Sequence, residues 1–146
     1  MSDEIERDAD AAKGPEWRNF YGRRFGKTLR SSQKTYLTED MGALQPAGIT
    51  REENPERSPL DLSKLFGARP VWLEIGFGGG EHMAARADML PNHGFIGCEP
   101  FVNGVAQALN HVSDWNGMGP LPNVRLHLGD ALEVLARIPD GALSFV

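Results

Sequence analysis

A glycine-rich segment with acidic residues at both ends is the part of this chain most suited to binding a ligand. Residues 74–81 read Glu-Ile-Gly-Phe-Gly-Gly-Gly-Glu and follow a short apolar run. Glycines allow a tight strand-to-helix turn and a close approach of backbone to ligand. The carboxylate of Glu81, at the start of the predicted helix, disfavours a phosphate at that position. A P-loop would also need a Gly-Lys-Ser/Thr ending, which is absent. The segment therefore predicts a nucleoside ligand without phosphates, and favours one with positive charge.

S-adenosylmethionine meets these conditions, because it carries a sulfonium and an ammonium group beside an adenosine. Glu74, at the end of the predicted strand, is placed to meet the positive groups, and Gly76 and Gly78 bring the backbone close. Glu99 follows Gly78 by roughly twenty positions, the spacing at which a carboxylate holds both ribose hydroxyls. Asp130 can accept from the adenine amino group. Glu99 and Asp130 could each also cap the helix that follows, so both roles stay open.

The elements that position these residues follow from the apolar periodicity. Short apolar or alternating runs predict strands, and apolar residues at helical intervals predict helices. Strands are predicted at 70–75, 94–98, 124–128 and 142–146. Helices are predicted at 81–90, 101–114 and 130–137. This alternation is typical of a doubly wound, Rossmann-like α/β sheet, in which ligands bind at the carboxyl ends of the strands, where the strand order switches.

Charge and proline content divide the chain into three parts. Residues 1–40 form an acidic and then basic N-terminal arm that we expect to be largely disordered, since residues 1–12 carry a net charge of −4 and residues 13–34 carry +6. Residues 41–69 contain several prolines and predict a linker with one helical turn near Leu62–Phe66. Residues 70–146 form the ligand-binding part.

The basic stretch of the arm is compatible with a polyanion partner, although a charge run alone more often belongs to a solvated arm without a partner. Aromatic residues lie between the basic ones and could stack on bases or pack the arm onto the body. The candidate nucleic-acid contacts are Arg23, Arg24, Lys27 and Arg30.

Composition excludes several other classes of protein. The chain has 146 residues, 40% of them hydrophobic, and its single cysteine excludes a disulfide framework and a cysteine-based zinc site. The histidines show no metal-ligand spacing, so no metal is expected. No apolar run approaches the length of a membrane span, and the acidic start is unlike a signal peptide. We therefore expect a soluble, cytoplasmic protein.

With these motifs identified, the chain resembles the bacterial tRNA (guanine-N7-)-methyltransferase family. The resemblance is carried by the glycine segment in 72–82, by 95–105 with Gly104 inside a predicted helix, by Gly-Asp-Ala at 129–131, and by the basic arm at 20–30. It implies the class I methyltransferase fold, S-adenosylmethionine as cofactor, and methylation of the guanine at position 46 in the variable region of tRNA.

In that family the fourth strand leads into a Pro-Asp-Pro-Trp segment followed by basic residues. The sequence stops at Val146, before any such segment, so we expect a truncated chain whose catalytic residues lie beyond Val146. Two alternatives remain. One is a non-catalytic fragment that binds the cofactor or RNA. The other is a nicotinamide-dependent oxidoreductase domain, against which Glu81 argues because it replaces the third glycine of the dinucleotide fingerprint.

Overall fold

The computed structural model describes residues 26–146, and its centre is a parallel sheet of four strands. The strands are β1 (Val71–Ile75), β2 (Gly94–Glu99), β3 (Val124–Leu128) and β4 (Leu143–Phe145). They lie in the order β3-β2-β1-β4, and every neighbouring pair is parallel. All four strands were predicted from their apolar runs, and the doubly wound, Rossmann-like fold is confirmed.

Register aligns the carboxyl ends of the three strands that precede the candidate residues. Ile75 of β1 lies opposite Cys98 of β2, and Glu99 of β2 lies opposite Leu128 of β3. The chain segments that leave β1, β2 and β3 therefore emerge side by side at one edge of the sheet. This is the edge at which open α/β sheets bind ligands.

Helices precede and connect the strands, and side chains cap the starts of two of them. The helices are α1 (Ser31–Thr35), a π-helical turn (Tyr36–Asp40), α2 (Met41–Leu44), α3 (Leu62–Phe66), α4 (Glu81–Met89), α5 (Val102–Ser113), a 3₁₀ turn (Trp115–Gly117) and α6 (Ala131–Leu135). The helical turn predicted at Leu62–Phe66 is confirmed, and Asp61 caps it by accepting a hydrogen bond from the Ser63 N–H at 3.0 Å. None of the helices within 26–146 is long and apolar enough to cross a membrane.

Apolar side chains cover both faces of the sheet. One face packs against α4 and α5, and the core on this side includes Phe77, Met83, Phe95, Val105, Leu109 and Leu126. The other face packs against α3 and α6, and its core includes Phe66, Val71, Leu73, Ile96, Cys98 and Val134. Burial on both faces explains why the strands have continuous apolar runs.

The structure differs from the predicted arm and linker over residues 31–44, which form consecutive helical turns. Met41 is buried in the core, and Tyr36, Leu37 and Leu44 pack against the same cluster. The π-helical turn Tyr36–Asp40 is wider than a regular turn, so the apolar residues do not follow the 3.6-residue period. For that reason the sequence showed no helical pattern here. The rest of the division into arm, linker and ligand-binding part stays a prediction.

Candidate functional site

A cavity of about 350 Å³ lies at the carboxyl ends of β1, β2 and β3. Its volume lies at the lower end of the range typical of ligand pockets. Backbone and side chains from all three strand ends form its wall. The lining residues are Ile75, Gly76, Cys98, Glu99, Pro100, Phe101, Gly129, Asp130 and Ala131. The structure thus brings together three of the five predicted cofactor residues, Gly76, Glu99 and Asp130.

The glycine segment has the backbone conformation that its composition indicated. Gly76 has φ 71° and Gly78 has φ 61°, values in the left-handed region that disfavours other residues. The Gly76 N–H donates to the Cys98 carbonyl at 2.8 Å, which holds the start of the turn against the end of β2. A Cβ at Gly76 would lie 3.8 Å from Oε2 of Glu99. The turn therefore runs directly beside the Glu99 carboxylate.

Glu99 is half-buried at the end of β2, and its carboxylate accepts hydrogen bonds from the backbone N–H groups of Gly78 and Phe101. Burial raises the pKa of this carboxyl above its usual range, and the two hydrogen bonds oppose that rise. A carboxylate has about four acceptor positions, so two backbone donors leave capacity for two donors from a ligand. This capacity is what binding a pair of vicinal hydroxyls requires.

Asp130 lines the cavity and also caps α6. Its Oδ1 accepts from the Leu132 N–H at 2.9 Å, and Glu133 accepts from the Asp130 N–H at 3.3 Å. The predicted capping pair of Asp130 and Glu133 is confirmed. The predicted ligand contact of Asp130 stays a prediction, and the cap is compatible with it because the same residue forms part of the cavity wall.

Glu74 and Gly78 do not line the cavity. Along β1, Leu73 belongs to the core of the α3–α6 face, so alternation places Glu74 on the opposite face together with Trp72. Gly78 contributes through its N–H, which binds Glu99. Gly78 therefore helps to hold Glu99 at the site, although it does not line the cavity. Glu74 does not line the cavity either, so its predicted contact with the cofactor stays a prediction.

Two of the predicted nucleic-acid residues lie in the described part of the chain, and Arg23 and Arg24 lie outside it. Lys27 and Arg30 are both exposed. The segment around Lys27 is held beside the start of α5 by Asn103. The Asn103 Nδ2 donates to the Lys27 carbonyl at 2.6 Å, and Oδ1 accepts from the Gly26 N–H at 2.8 Å. No sequence signal pointed to Asn103.

Gly104 shows how closely α5 approaches the glycine segment. A Cβ at Gly104 would overlap the carbonyl group of Gly78. A glycine inside a helix normally costs stability relative to alanine, and in the sequence Gly104 was part of the family resemblance. The structure supplies the physical cause, which is backbone contact between the helix and the turn.

Cys98 forms part of the cavity wall, but its thiol is not activated. Burial raises its pKa to about 12, and the charges of Asp130 and Glu133 contribute in the same direction. Since the thiolate is the nucleophile, a thiol with this pKa is inert at neutral pH. No group of three or more His, Cys, Asp or Glu side chains within 26–146 could hold a metal ion.

Comparison with known protein families decides the class of this fold. A family model described as "Putative methyltransferase" matches residues 68–146, which is more than half of the chain. The chain belongs to this methyltransferase family. The matched residues contain the whole sheet and all the cavity-lining residues. Among solved structures, one described as "Structure of an antibiotic related Methyltransferase" matches with a TM-score of 0.43 and 21% identity, and the match covers 52% of this chain and 41% of that one.

Curated relatives carry the name that the sequence motifs indicated. A "tRNA (guanine-N(7)-)-methyltransferase" of Cereibacter sphaeroides is 60% identical over 134 residues, which are 92% of this chain and 54% of the relative. A protein of the same name from Paracoccus denitrificans is 55% identical over 89% of this chain and 54% of its own length. The corresponding Novosphingobium aromaticivorans protein is 58% identical over 86% of this chain and 50% of its own length.

The resemblance to bacterial tRNA (guanine-N7-)-methyltransferases is confirmed by these relatives. The chain spans about half the length of the curated relatives it matches.

Proposed function

We propose that this methyltransferase chain binds S-adenosylmethionine in the cavity at the ends of β1, β2 and β3. We further propose that it forms the cofactor-binding part of an enzyme that methylates guanine N7 at position 46 of tRNA. The observation that carries the proposal is the convergence of Gly76, Glu99 and Asp130 on one cavity in a chain 60% identical to a tRNA (guanine-N7-)-methyltransferase. A cytoplasmic location, where tRNA is found, is part of the same proposal.

The residues of the cavity suit an adenosine that carries no phosphate. Glu99 has acceptor capacity for the two ribose hydroxyls, and Asp130 is placed to accept from an exocyclic amino group. Ile75, Phe101 and Ala131 supply apolar wall for a purine ring. The Glu81 carboxylate in the first turn of α4 disfavours a pyrophosphate at that helix N-terminus, which argues against NAD.

When bound, S-adenosylmethionine supplies a methyl group activated by attachment to a sulfonium. Guanine N7 has an in-plane lone pair, so no general base is needed. The chemistry it would supply is transfer of this methyl group from sulfur to guanine N7, which would leave S-adenosylhomocysteine and place the positive charge on the guanine. The task of this chain is to orient the donor and to keep the site dry. An inert Cys98 thiol is compatible with such a reaction.

The basic arm is our candidate for contacts with tRNA phosphates. Lys27 and Arg30 are exposed, and Asn103 holds the backbone at Lys27 beside the start of α5. Phosphate contacts of this kind are independent of sequence and weaken as salt is raised. Residues 71–146 carry a net charge of −5, so this part of the chain does not attract a polyanion by itself.

Isothermal titration calorimetry with S-adenosylhomocysteine tests the cofactor site. We expect the wild-type chain to bind S-adenosylhomocysteine and not NAD. Replacing Glu99 by Ala removes the two proposed charge-assisted hydrogen bonds to the ribose hydroxyls, so it should weaken binding of S-adenosylhomocysteine by roughly a hundredfold. Glu52→Ala, at an exposed position outside the cavity, is the matched control. Equal binding by the Glu99 and Glu52 variants would refute the proposed site.

Transfer of a tritiated methyl group to unmodified tRNA tests the reaction. The full-length Cereibacter sphaeroides relative serves as the positive control. Methyl transfer by the 146-residue chain would support the proposed methylation of tRNA. It would contradict the prediction that the catalytic residues lie beyond Val146. The chain spans only about half the length of its relatives, so we expect it to bind S-adenosylhomocysteine without transferring the methyl group. Binding of S-adenosylhomocysteine without transfer would identify the chain as a cofactor-binding part.

A further inference from the structure

A histidine is buried directly behind the wall that β3 contributes to the cavity. His127 is only 1% exposed, and neither of its ring nitrogens is hydrogen-bonded to any residue that the structure describes. Its Nε2 lies 3.5 Å from Oε1 of Glu133, whose side chain is 19% exposed. A buried N–H without an acceptor is costly and rare in folded proteins. Glu133 is therefore the acceptor toward which this imidazole can donate.

The residue between the histidine and the capping pair must be small for this contact to exist. A Cβ at Gly129 would lie 2.7 Å from Nε2 of His127 and 2.8 Å from Oε1 of Glu133. Gly129 does not have a positive φ, so its backbone conformation alone does not require glycine. The absence of a side chain instead leaves the space in which the imidazole and the carboxylate approach each other.

Glu133 connects this pair to the cavity wall. Its Oε1 also accepts from the Asp130 N–H at 3.3 Å, and Gly129 and Asp130 line the cavity. Because the Glu133 side chain is partly exposed, its carboxylate can turn toward water unless donors on the protein side hold it. If it turned, the Asp130 N–H would lose its acceptor, and the turn at 129–130 would lose one of its constraints.

We propose that His127 is a positioning residue for the cofactor cavity. Its Nε2–H donates to the Glu133 carboxylate and keeps that carboxylate in place to accept from the Asp130 N–H. This pair of contacts fixes the Gly129–Asp130 turn. The consequence for the ligand rests on the proposed function, because it concerns S-adenosylmethionine and S-adenosylhomocysteine at this wall. The contact itself is a property of the ligand-free chain.

Three substitutions of His127 separate the position of the donor from the polarity of the side chain. His127→Gln places an amide nitrogen near the position of Nε2, whereas His127→Asn places it near that of Nδ1. His127→Leu fills the site without a donor. The Gln and Asn variants carry the same functional group in the same buried site. A difference between them therefore reports where the donor lies.

Two measurements follow on the 146-residue chain. Hydrogen exchange of the Asp130 amide, read by NMR without ligand, should accelerate roughly tenfold in the Asn and Leu variants and stay near the wild-type rate in the Gln variant. The Kd for S-adenosylhomocysteine should rise roughly tenfold in the same two variants and recover in the Gln variant. Gly129→Ala, which wedges the pair apart with both partners intact, should accelerate Asp130 exchange as well.

Equal exchange rates and equal Kd values for the Gln and Asn variants would overturn the proposal. A Kd that simply follows the Tm of each variant would also overturn it, because a purely structural role predicts that relation. If the wild-type chain does not bind S-adenosylhomocysteine, the proposed function fails, and Asp130 exchange still decides whether His127 holds the turn. Should the Leu variant not fold, the Gln and Asn pair gives the same decision.

Discussion

The carboxyl-terminal ends of β2 and β3 each present one carboxylate to the same cavity, Glu99 as the last residue of β2 and Asp130 just after β3, but the two carboxylates are held in different ways. Asp130 is held within its own segment, where its side chain caps α6 through the Leu132 N–H. Glu99 is held partly by another element, since the Gly78 N–H of the glycine segment donates to it. The helix after β2 has no side-chain cap at Phe101.

Because of this difference, the geometry of Asp130 depends on its own segment, whereas the geometry of Glu99 depends on how several elements pack together. The β3 turn can form from its own sequence, because a capping box needs only residues three positions apart. The carboxylate of the β2 turn reaches its geometry only when β1, β2 and α5 are packed together. Damage to α5 should therefore act on Glu99, whereas loss of the Asp130 carboxylate should act mainly on the stability of α6.

The largest expected effect comes from Gly104→Ala. The new Cβ would overlap the Gly78 carbonyl and push α5 away from the turn that supports Glu99. Although alanine favours a helix, overpacking against backbone should lower the free energy of unfolding by about 2 kcal/mol. Urea denaturation measures this loss, and binding of S-adenosylhomocysteine should be strongly weakened.

Gly42→Ala is the control for Gly104→Ala, because nothing lies within 4 Å of a Cβ at that helical position. It should leave binding unchanged and raise the free energy of unfolding slightly. If Gly104→Ala were as stable as Gly42→Ala, the close contact between α5 and the glycine segment would play no part in holding the site.

A pair of amide substitutions compares the two carboxylates directly. Glu99→Gln keeps the size and removes the charge, so the Kd for S-adenosylhomocysteine should rise roughly tenfold. Asp130→Asn should change the Kd only about twofold to threefold, and asparagine caps helices as well as aspartate does. Calorimetry on both variants measures the contrast. An equal loss of affinity would show that both carboxylates serve the ligand in the same way.

Asp130→Ala should expose the structural role of the β3 turn. Loss of an N-cap side chain costs about 1 kcal/mol of the free energy of unfolding. Glu99→Ala should bring no comparable loss, because burial already disfavours the charge of Glu99, as its raised pKa indicates. Thermal and urea denaturation of the two variants provide the measurement. A larger stability loss at Glu99 than at Asp130 would reverse the assignment of roles.

The pH dependence should be the smallest effect, and its sign differs between ligand binding and folding. The pKa of Glu99 is raised by burial, so affinity for S-adenosylhomocysteine should begin to fall, as pH decreases, at a higher pH than for an ordinary glutamate. In the ligand-free chain the same shift favours the protonated folded form. Its contribution to stability is therefore lost as pH rises from the ordinary range through the raised pKa.

Calorimetry between neutral pH and the acid range, with Glu99→Gln as the reference, isolates this titration. The Gln variant should show a flatter dependence of affinity on pH than the wild type. A wild-type profile that runs parallel to the profile of the Gln variant would remove Glu99 from the ligand contacts.

Most elements of the fold could be predicted because their signals are local. The strand at Val124–Leu128 and the turn at Leu62–Phe66 have the predicted bounds. The helical stretch at 31–44 could not be predicted, since a π-helical turn disturbs its period and its apolar residues are buried against distant elements, α5 and β3. Burial against a distant helix leaves no short-range trace in the sequence.

The residues of the candidate site could also be predicted only in part. Gly76, Glu99 and Asp130 were found from residue type and their position after apolar runs, and the structure places them on one cavity. Glu74 was selected by the same argument, yet it lies on the sheet face of Trp72 and not at the cavity. A strand end gives the edge of the sheet, but the direction of one side chain also depends on where the strand stops.

Short-range patterns in this chain are thus sufficient for the four strands and for the helices that were predicted after residue 61, for the glycine turn and for the Asp130 cap. Three-dimensional packing sets the rest, which includes the contact of Gly104 with the Gly78 carbonyl, the support of Glu99 by Gly78, and the burial of His127 beside Glu133. The physical reason is range. Hydrogen-bonded turns and caps form between neighbours in the chain, whereas close packing and desolvation arise only when distant segments meet.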